Sequence, residues 1–168
     1  MKKFDYWLFD DNGTSQLENV VICFPIGHTF SCEYGTYKVE QYRQMSNLVV
    51  VCERISNTID ENLLYIVEGQ TWTKELIKFK LSNDDKWVEK SILMLFENQT
   101  NDEQKSGFTK VYNDIGFNGV DGRYLSYCAK WLMRGNHLNG RHMNKCKHKL
   151  PKYWKQIQSV IKHKEVRV

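Results

Sequence analysis

A chain of 168 residues, 41% hydrophobic and 13% aromatic, carries enough apolar side chain for one sizeable core, which excludes disorder over most of its length. Its longest unbroken apolar runs, residues 20–24 and 48–52 among them, are five residues each, against the roughly 20 that a membrane helix needs, so no transmembrane segment is expected. The net charge of +4 hides a division: residues 1–122 carry 12 Lys+Arg against 19 Asp+Glu, a net −7, and residues 123–168 carry 12 against Glu165 alone, a net +11.

The first elements read as extended chain. Phe4, Tyr6 and Leu8 alternate with Asp5 and Trp7 and run into Asp10-Asp11-Asn12-Gly13, the pattern of a strand and a tight turn, with residues 17–24 as the returning partner. Pro25-Ile26-Gly27 breaks that partner. Residues 30–39, with Tyr34 and Tyr37 around Gly35, read as further extended chain. The continuous run at 48–52 suits a strand covered on both faces, and 63–67 reads as another across a polar loop at 56–62. Four or five antiparallel strands are expected before residue 70.

The period then changes. Ser82-Asn83-Asp84-Asp85 supplies an N-cap and an acidic first turn, and Trp87, Val88, Ile92, Leu95 and Phe96 follow at helical spacing, which predicts a helix over 83–97. Residues 98–107 are polar and read as a loop or a helix start. Asp121 reads as the cap of a second helix in which Tyr124, Cys128, Trp131 and Leu132 share a face and which Gly135 closes. Pro151 fits the first turn of a third, with Tyr153, Trp154, Ile157, Val160 and Ile161 as its stripe. The fold class is therefore α+β, an antiparallel β-rich N-terminal half followed by about three helices. With no internal repeat or low-complexity linker, the expectation is a single domain over 1–168: strand-rich and acidic over 1–70, mixed over 71–122, basic and helical over 123–168.

Residue usage points to origin. One alanine, two prolines, 13 asparagines and 18 lysines against six arginines follow the codons of an AT-rich genome, such as that of a low-GC bacterium or its phage. Asp5 and Asp10 interrupt the apolar stretch after Met1-Lys2-Lys3, so it is not expected to be a signal segment and the chain is expected to be mature as it stands. Five cysteines (Cys23, Cys32, Cys52, Cys128, Cys146), odd in number and without a Cys-x-x-Cys pair, predict a reducing compartment and no disulfide framework.

The densest set of metal-ligand types is Cys128, His137, His142, Cys146 and His148. Structural zinc takes four ligands, usually as two close pairs, and no Cys-x2-Cys partner accompanies His142-x3-Cys146, so no metal is expected. His142, Asn144 and His148 resemble a His-Asn-His nuclease, but the two histidines are too close for that hairpin, and the segment has no clustered carboxylates for metal-assisted cleavage. Dinucleotide, Walker, nucleophile-elbow and zincin signatures are absent, so neither a cofactor nor catalysis is expected.

Leu93-Met94-Leu95-Phe96 matches the last four positions of the peptide Gln-Leu-x-Leu-Phe, with which replication proteins dock on bacterial sliding clamps; Ile92 stands in place of the glutamine. That peptide binds extended, whereas this segment lies in a predicted helix and reads as core. With the chain length, the Lys- and Asn-rich usage and the lack of catalytic motifs, the chain resembles phage host-takeover proteins, in particular the sliding-clamp inhibitors of large staphylococcal phages. The resemblance implies a non-enzymatic protein in the cytoplasm of the bacterial host cell, whose partner is the host clamp and whose effect is to block its DNA channel. A channel that holds DNA is lined by Lys and Arg, so the expected partner-binding residues are the acidic pairs Asp10 and Asp11, Asp60 and Glu61, and Asp102 and Glu103. The alternative is a nucleic-acid-binding protein that contacts phosphates through Arg141, Lys145, Lys147, Lys149 and Lys152, with metal-dependent nuclease a distant third.

Overall fold

The structure, a computed structural model, describes residues 2–99 and 115–166. It is an α+β fold, a mixed sheet followed by helices, and it divides into two compact units, Met1–Trp72 and Thr73–Val168.

The first unit is a five-stranded sheet in the order β2-β1-β5-β4-β3, built from β1 (Phe4–Asp10), β2 (Gly13–Val20), β3 (Thr29–Cys32), β4 (Gly35–Gln44) and β5 (Leu48–Ser56). The run at 48–52 lies in the central strand, where Val49, Val50, Val51 and Cys52 are all buried, as a continuous β-branched run requires. The expected antiparallel pairing holds for three of the four strand pairs and fails at one. β1 and β5 run parallel, Asp5 opposite Val49 and Phe9 opposite Glu53, because the chain makes two hairpins before it returns beside its first strand.

Two strand boundaries also differ. The partner expected over 17–24 starts at Gly13 and ends at Val20. Asn19 sits in the left-handed region (φ 58°) at a register shift, and residues 21–24 leave the sheet. Their polar groups are met by a buried side chain instead: the Tyr6 hydroxyl donates to Ile22 O (2.8 Å) and accepts from Phe24 N (3.1 Å). Phe24, Phe30 and Tyr37 stack in series and Tyr6 meets Phe24 and Phe30 edge-on, forming the aromatic core of the unit. The run at 63–67 is not a strand. It touches the β3 edge through one bridge, Ser31 to Tyr65, and the Val67 amide that would extend a ladder donates to Gln70 Oε1 (3.2 Å).

The described helices of the second unit are α1 (Lys74–Asn83), α2 (Asp85–Glu97), α3 (Gly119–Met133), α4 (Gly140–Lys149) and α5 (Trp154–Val166), the last preceded by a 3₁₀ turn, Leu150–Tyr153. The helix expected over 83–97 is α2. Asp84 is its N-cap, accepting from Trp87 N (3.0 Å), while the cap backbone closes α1, so one aspartate ends one helix and starts the next. Helices α1 and α4 are additional to the three helices expected, although α4 falls within the segment expected to be helical; it is so rich in Lys and His that only Met143 and Cys146 mark its buried side. Asp121 is not the cap of α3. Asn118 is, accepting from Asp121 N (2.9 Å), and Asp121 is fully buried.

Pro151 occupies the first turn of the 3₁₀ segment as expected. The core of this unit joins Leu76, Ile77, Ile92, Leu95, Leu125 and Ile157, each completely buried. The clamp-peptide segment belongs to it: Leu95 is inaccessible and Phe96 is 5% exposed, both on α2. No described helix is long and apolar enough to cross a membrane.

Candidate functional site

Parallel pairing of β1 and β5 has a consequence for the acidic pairs. Both strands finish at the same end of the sheet, so the turn after β1, carrying Asp10 and Asp11, and the loop after β5, carrying Asp60 and Glu61, emerge together. The β3–β4 turn with Glu33 lies at that end as well, since β4 begins there, Thr36 opposite Ser56.

Buried hydroxyls fix the second loop. Ser31 Oγ accepts from Asp60 N (3.0 Å) and Thr36 Oγ1 donates to Thr58 O (2.7 Å), both from side chains that are almost inaccessible. Gly35 permits the approach: its φ of +128° suits only glycine, and a Cβ there would stand 2.4 Å from Ser56 O.

The four described acids are not equivalent. Asp11 and Glu61 are exposed. Asp60 is exposed, with Oδ1 accepting from Asn62 N (2.9 Å) in an Asx turn. Asp10 is only 14% exposed. Its Oδ2 takes a hydrogen bond from Arg54 Nη1 (2.9 Å), and its Oδ1 accepts from Asn12 N (2.7 Å), so it braces the turn rather than projecting from it. Asp102 and Glu103 lie outside the described residues. Residue-type reasoning found the acids but missed Arg54, Ser31 and Thr36, whose roles depend on a pairing that hydropathy does not reveal.

The basic residues of the alternative reading are placed differently. Lys149 (2.6 Å) and Lys152 both pair with buried Asp121, which also accepts from the Tyr153 hydroxyl (3.0 Å). Burial opposes ionisation of Asp121, but the bonds from Lys149, Lys152 and Tyr153 outweigh it and hold the carboxyl below its usual range. Burial pushes the Tyr153 phenol up. Lys147 pairs with Asp85 (2.6 Å). Lys145 lies over the Tyr124 ring, 4.0 Å from its centre, and Arg141 is exposed. Three of the five cations are thus engaged by acids of their own unit.

The metal-ligand set is brought together only in part. Cys128 and Cys146 meet with sulfurs 3.9 Å apart, and the Tyr124 hydroxyl lies 2.9 Å from His142 Nδ1. The hydrogen bond from Cys146, opposed by burial and aided by Tyr124 and Lys145, lowers the Cys128 thiol to about 7. Cys146, the donor in that contact and itself buried, is pushed up, and burial also raises Tyr124. His137 turns instead to Glu89, with Nδ1 3.0 Å from Oε2, while Glu89 Oε1 accepts from Leu138 N (2.7 Å). His148 is exposed, and among the described residues no three of His, Cys, Asp and Glu converge as metal ligands would. No protein-family model matches the chain, and no curated protein or solved structure matches it with significance.

Proposed function

We propose that the chain is a non-enzymatic, phage-type inhibitor that binds a host DNA-replication protein, the sliding clamp, and blocks its DNA channel. The observation that carries this reading is the convergence of Asp11, Asp60 and Glu61 in solvent at one end of a rigid sheet. A surface made to hold the phosphates of DNA is complementary to such an acidic end, and complementary charge raises the rate of encounter before close contact forms. Lys147, Lys149 and Lys152 are occupied by Asp85 and Asp121, which reduces the positive field that would oppose docking in a basic channel. The resemblance to clamp inhibitors supplies the identity of the partner; the acids supply its chemistry.

Binding to a purified clamp from a low-GC bacterium tests the reading, measured by surface plasmon resonance at two salt concentrations. Asp11→Lys with Glu61→Lys is expected to lower the association rate about tenfold or more at low salt and to weaken its salt dependence. Asp10→Lys is a poor substitute, because it also breaks the brace to Arg54. Absence of affinity for the clamp, or tighter binding after the double reversal, overturns the proposal.

A further inference from the structure

The outward face of α3 has a composition that its buried face does not explain. Tyr127 is 57% exposed and Trp131 39%, and Arg123, Lys130 and Arg134 follow the same stripe at spacings of three and four. Large exposed rings are unfavourable in water unless something covers them, and here they alternate with cations instead of with the usual mixture of signs. Across a cleft, α4 adds exposed Arg141, His142 and Lys145. From residue 122 to 164 the sequence contains no Asp or Glu. Glu89, bonded to His137 and the Leu138 amide of the cleft wall, is 14% exposed.

The rings are also held. Trp131 Nε1 donates to His137 O (3.2 Å), and His142 lies nearly parallel to Tyr124, 12° between planes. Between Tyr127, Trp131, Leu138 and His142 lies a recess of about 260 Å³. We infer that this α3–α4 face binds single-stranded nucleic acid, with a base stacked against Tyr127 and Trp131 in the recess and flanking phosphates on Arg134, Arg141 and Lys145.

Charge complementarity selects a polyanion, and the rings select one whose flat faces are open. A base has a stacking face whatever its identity, so one aromatic recess accepts any of them, whereas a duplex hides those faces within its own stack. Lysines alone would suit any polyanion; exposed aromatic side chains interleaved with arginines are the addition that unpaired bases reward.

The test uses the full chain and a fluorescently labelled oligothymidylate of about 20 nucleotides, long enough to exceed one such site, with anisotropy read across a salt series. The expected result is binding whose affinity falls with salt at about 0.7 of a log unit per phosphate contacted for each tenfold rise. Tyr127→Ala, at an exposed position that the fold does not need, is expected to weaken oligothymidylate binding about tenfold while leaving binding of inorganic polyphosphate unchanged. Arg134→Glu with Arg141→Glu is expected to weaken both and to flatten the salt slope. No binding at low salt, equal affinity for a duplex of the same length, or indifference to Tyr127→Ala each overturns the inference. So does stronger capture by anionic phospholipid vesicles through the same residues. The clamp experiment varies Asp11 and Glu61 in the other unit, so either reading can fail without the other.

Discussion

Two charged regions of this chain have opposite fates. In the sheet unit Asp11, Asp60 and Glu61 sit in turns and loops after strands, where the backbone needs residues that tolerate tight conformations and the side chains fall in solvent, while Asp10 is drawn back to Arg54. In the helical unit Lys147, Lys149 and Lys152 leave the last turn of α4 and the 3₁₀ turn after it and meet Asp85 and Asp121. A count of charges along the sequence sees −7 followed by +11. In space a few acids are enough to occupy the most closely spaced lysines, and the positive surface moves to Arg134, Arg141 and Lys145 beside the aromatic stripe. A net charge per segment predicts the sign of the field, but which side chains carry it depends on what each meets after folding.

The largest effect that would break this picture concerns α2. If Phe96 belongs to the helical core, Phe96→Ala removes a ring that is 5% exposed and should cost about 3–5 kcal/mol, read as a lower urea midpoint. A docking peptide of the clamp-binding kind would behave oppositely, losing clamp affinity with stability intact. An unchanged midpoint would therefore make Leu93 to Phe96 candidate contact residues and loosen the assignment of binding to the acidic end.

Asp121 comes next and sharpens the comparison from the basic side. Asp121→Asn leaves a buried group with fewer and weaker bonds to Lys149, Lys152 and Tyr153, at a cost of roughly 1–3 kcal/mol. The sign of the pH dependence follows from the depressed folded-state value. Near and below the unfolded-state value of about 3.9 the unfolded chain binds the proton more readily, so the contribution is complete above that value and fades as pH falls through the folded one. The stability gap between wild type and Asp121→Asn should thus be full at neutral pH and shrink on acidification toward pH 3. A gap that grows instead would mean that the lysines are not what keeps this carboxylate ionised.

Legibility in the sequence followed locality. The α+β class, the central strand at 48–52, the helix from Asp84 and the first-turn Pro151 were readable because each rests on neighbours in the chain: a β-branched run, a cap, a ring that fixes φ. The parallel β1–β5 pair was not, since the continuous run at 48–52 marks burial on both faces, while the direction of each neighbour depends on how the connections route the chain. Helix α4 was hidden because two buried side chains in ten residues make no stripe. For the candidate site, the acids were legible as residue types, but their convergence followed only from strand order, and the bracing of Asp10 from a partner 44 residues away. Asp121 was read as a helix cap from its position ahead of an apolar stripe; Asn118, three residues earlier, holds that place, which left Asp121 inside.

The smallest expected effect tests how firmly the lysines are held. Lys147 and Asp85 stand 2.6 Å apart, as close as Lys149 and Asp121, yet the Asp85 side chain is 63% exposed and that of Asp121 is inaccessible. Distance alone would rank the two pairs equal. Solvent decides otherwise: an exposed pair gains little Coulomb energy in high dielectric and is screened by salt, so a double-mutant cycle on Lys147 and Asp85 should return only about 0.2–1 kcal/mol. The cycle is needed because Asp85 also sits in the first turn of α2, where its charge favours the helix independently of any lysine. The same cycle on Lys149 and Asp121 should return more and lose less of it in salt. Should the two couplings prove equal, Lys147 would be as firmly occupied as Lys149. If they differ as expected, Lys147 exchanges between Asp85 and solvent and remains open to a phosphate, on a side of α4 that Lys145 does not share, since residues two apart on a helix do not face the same way.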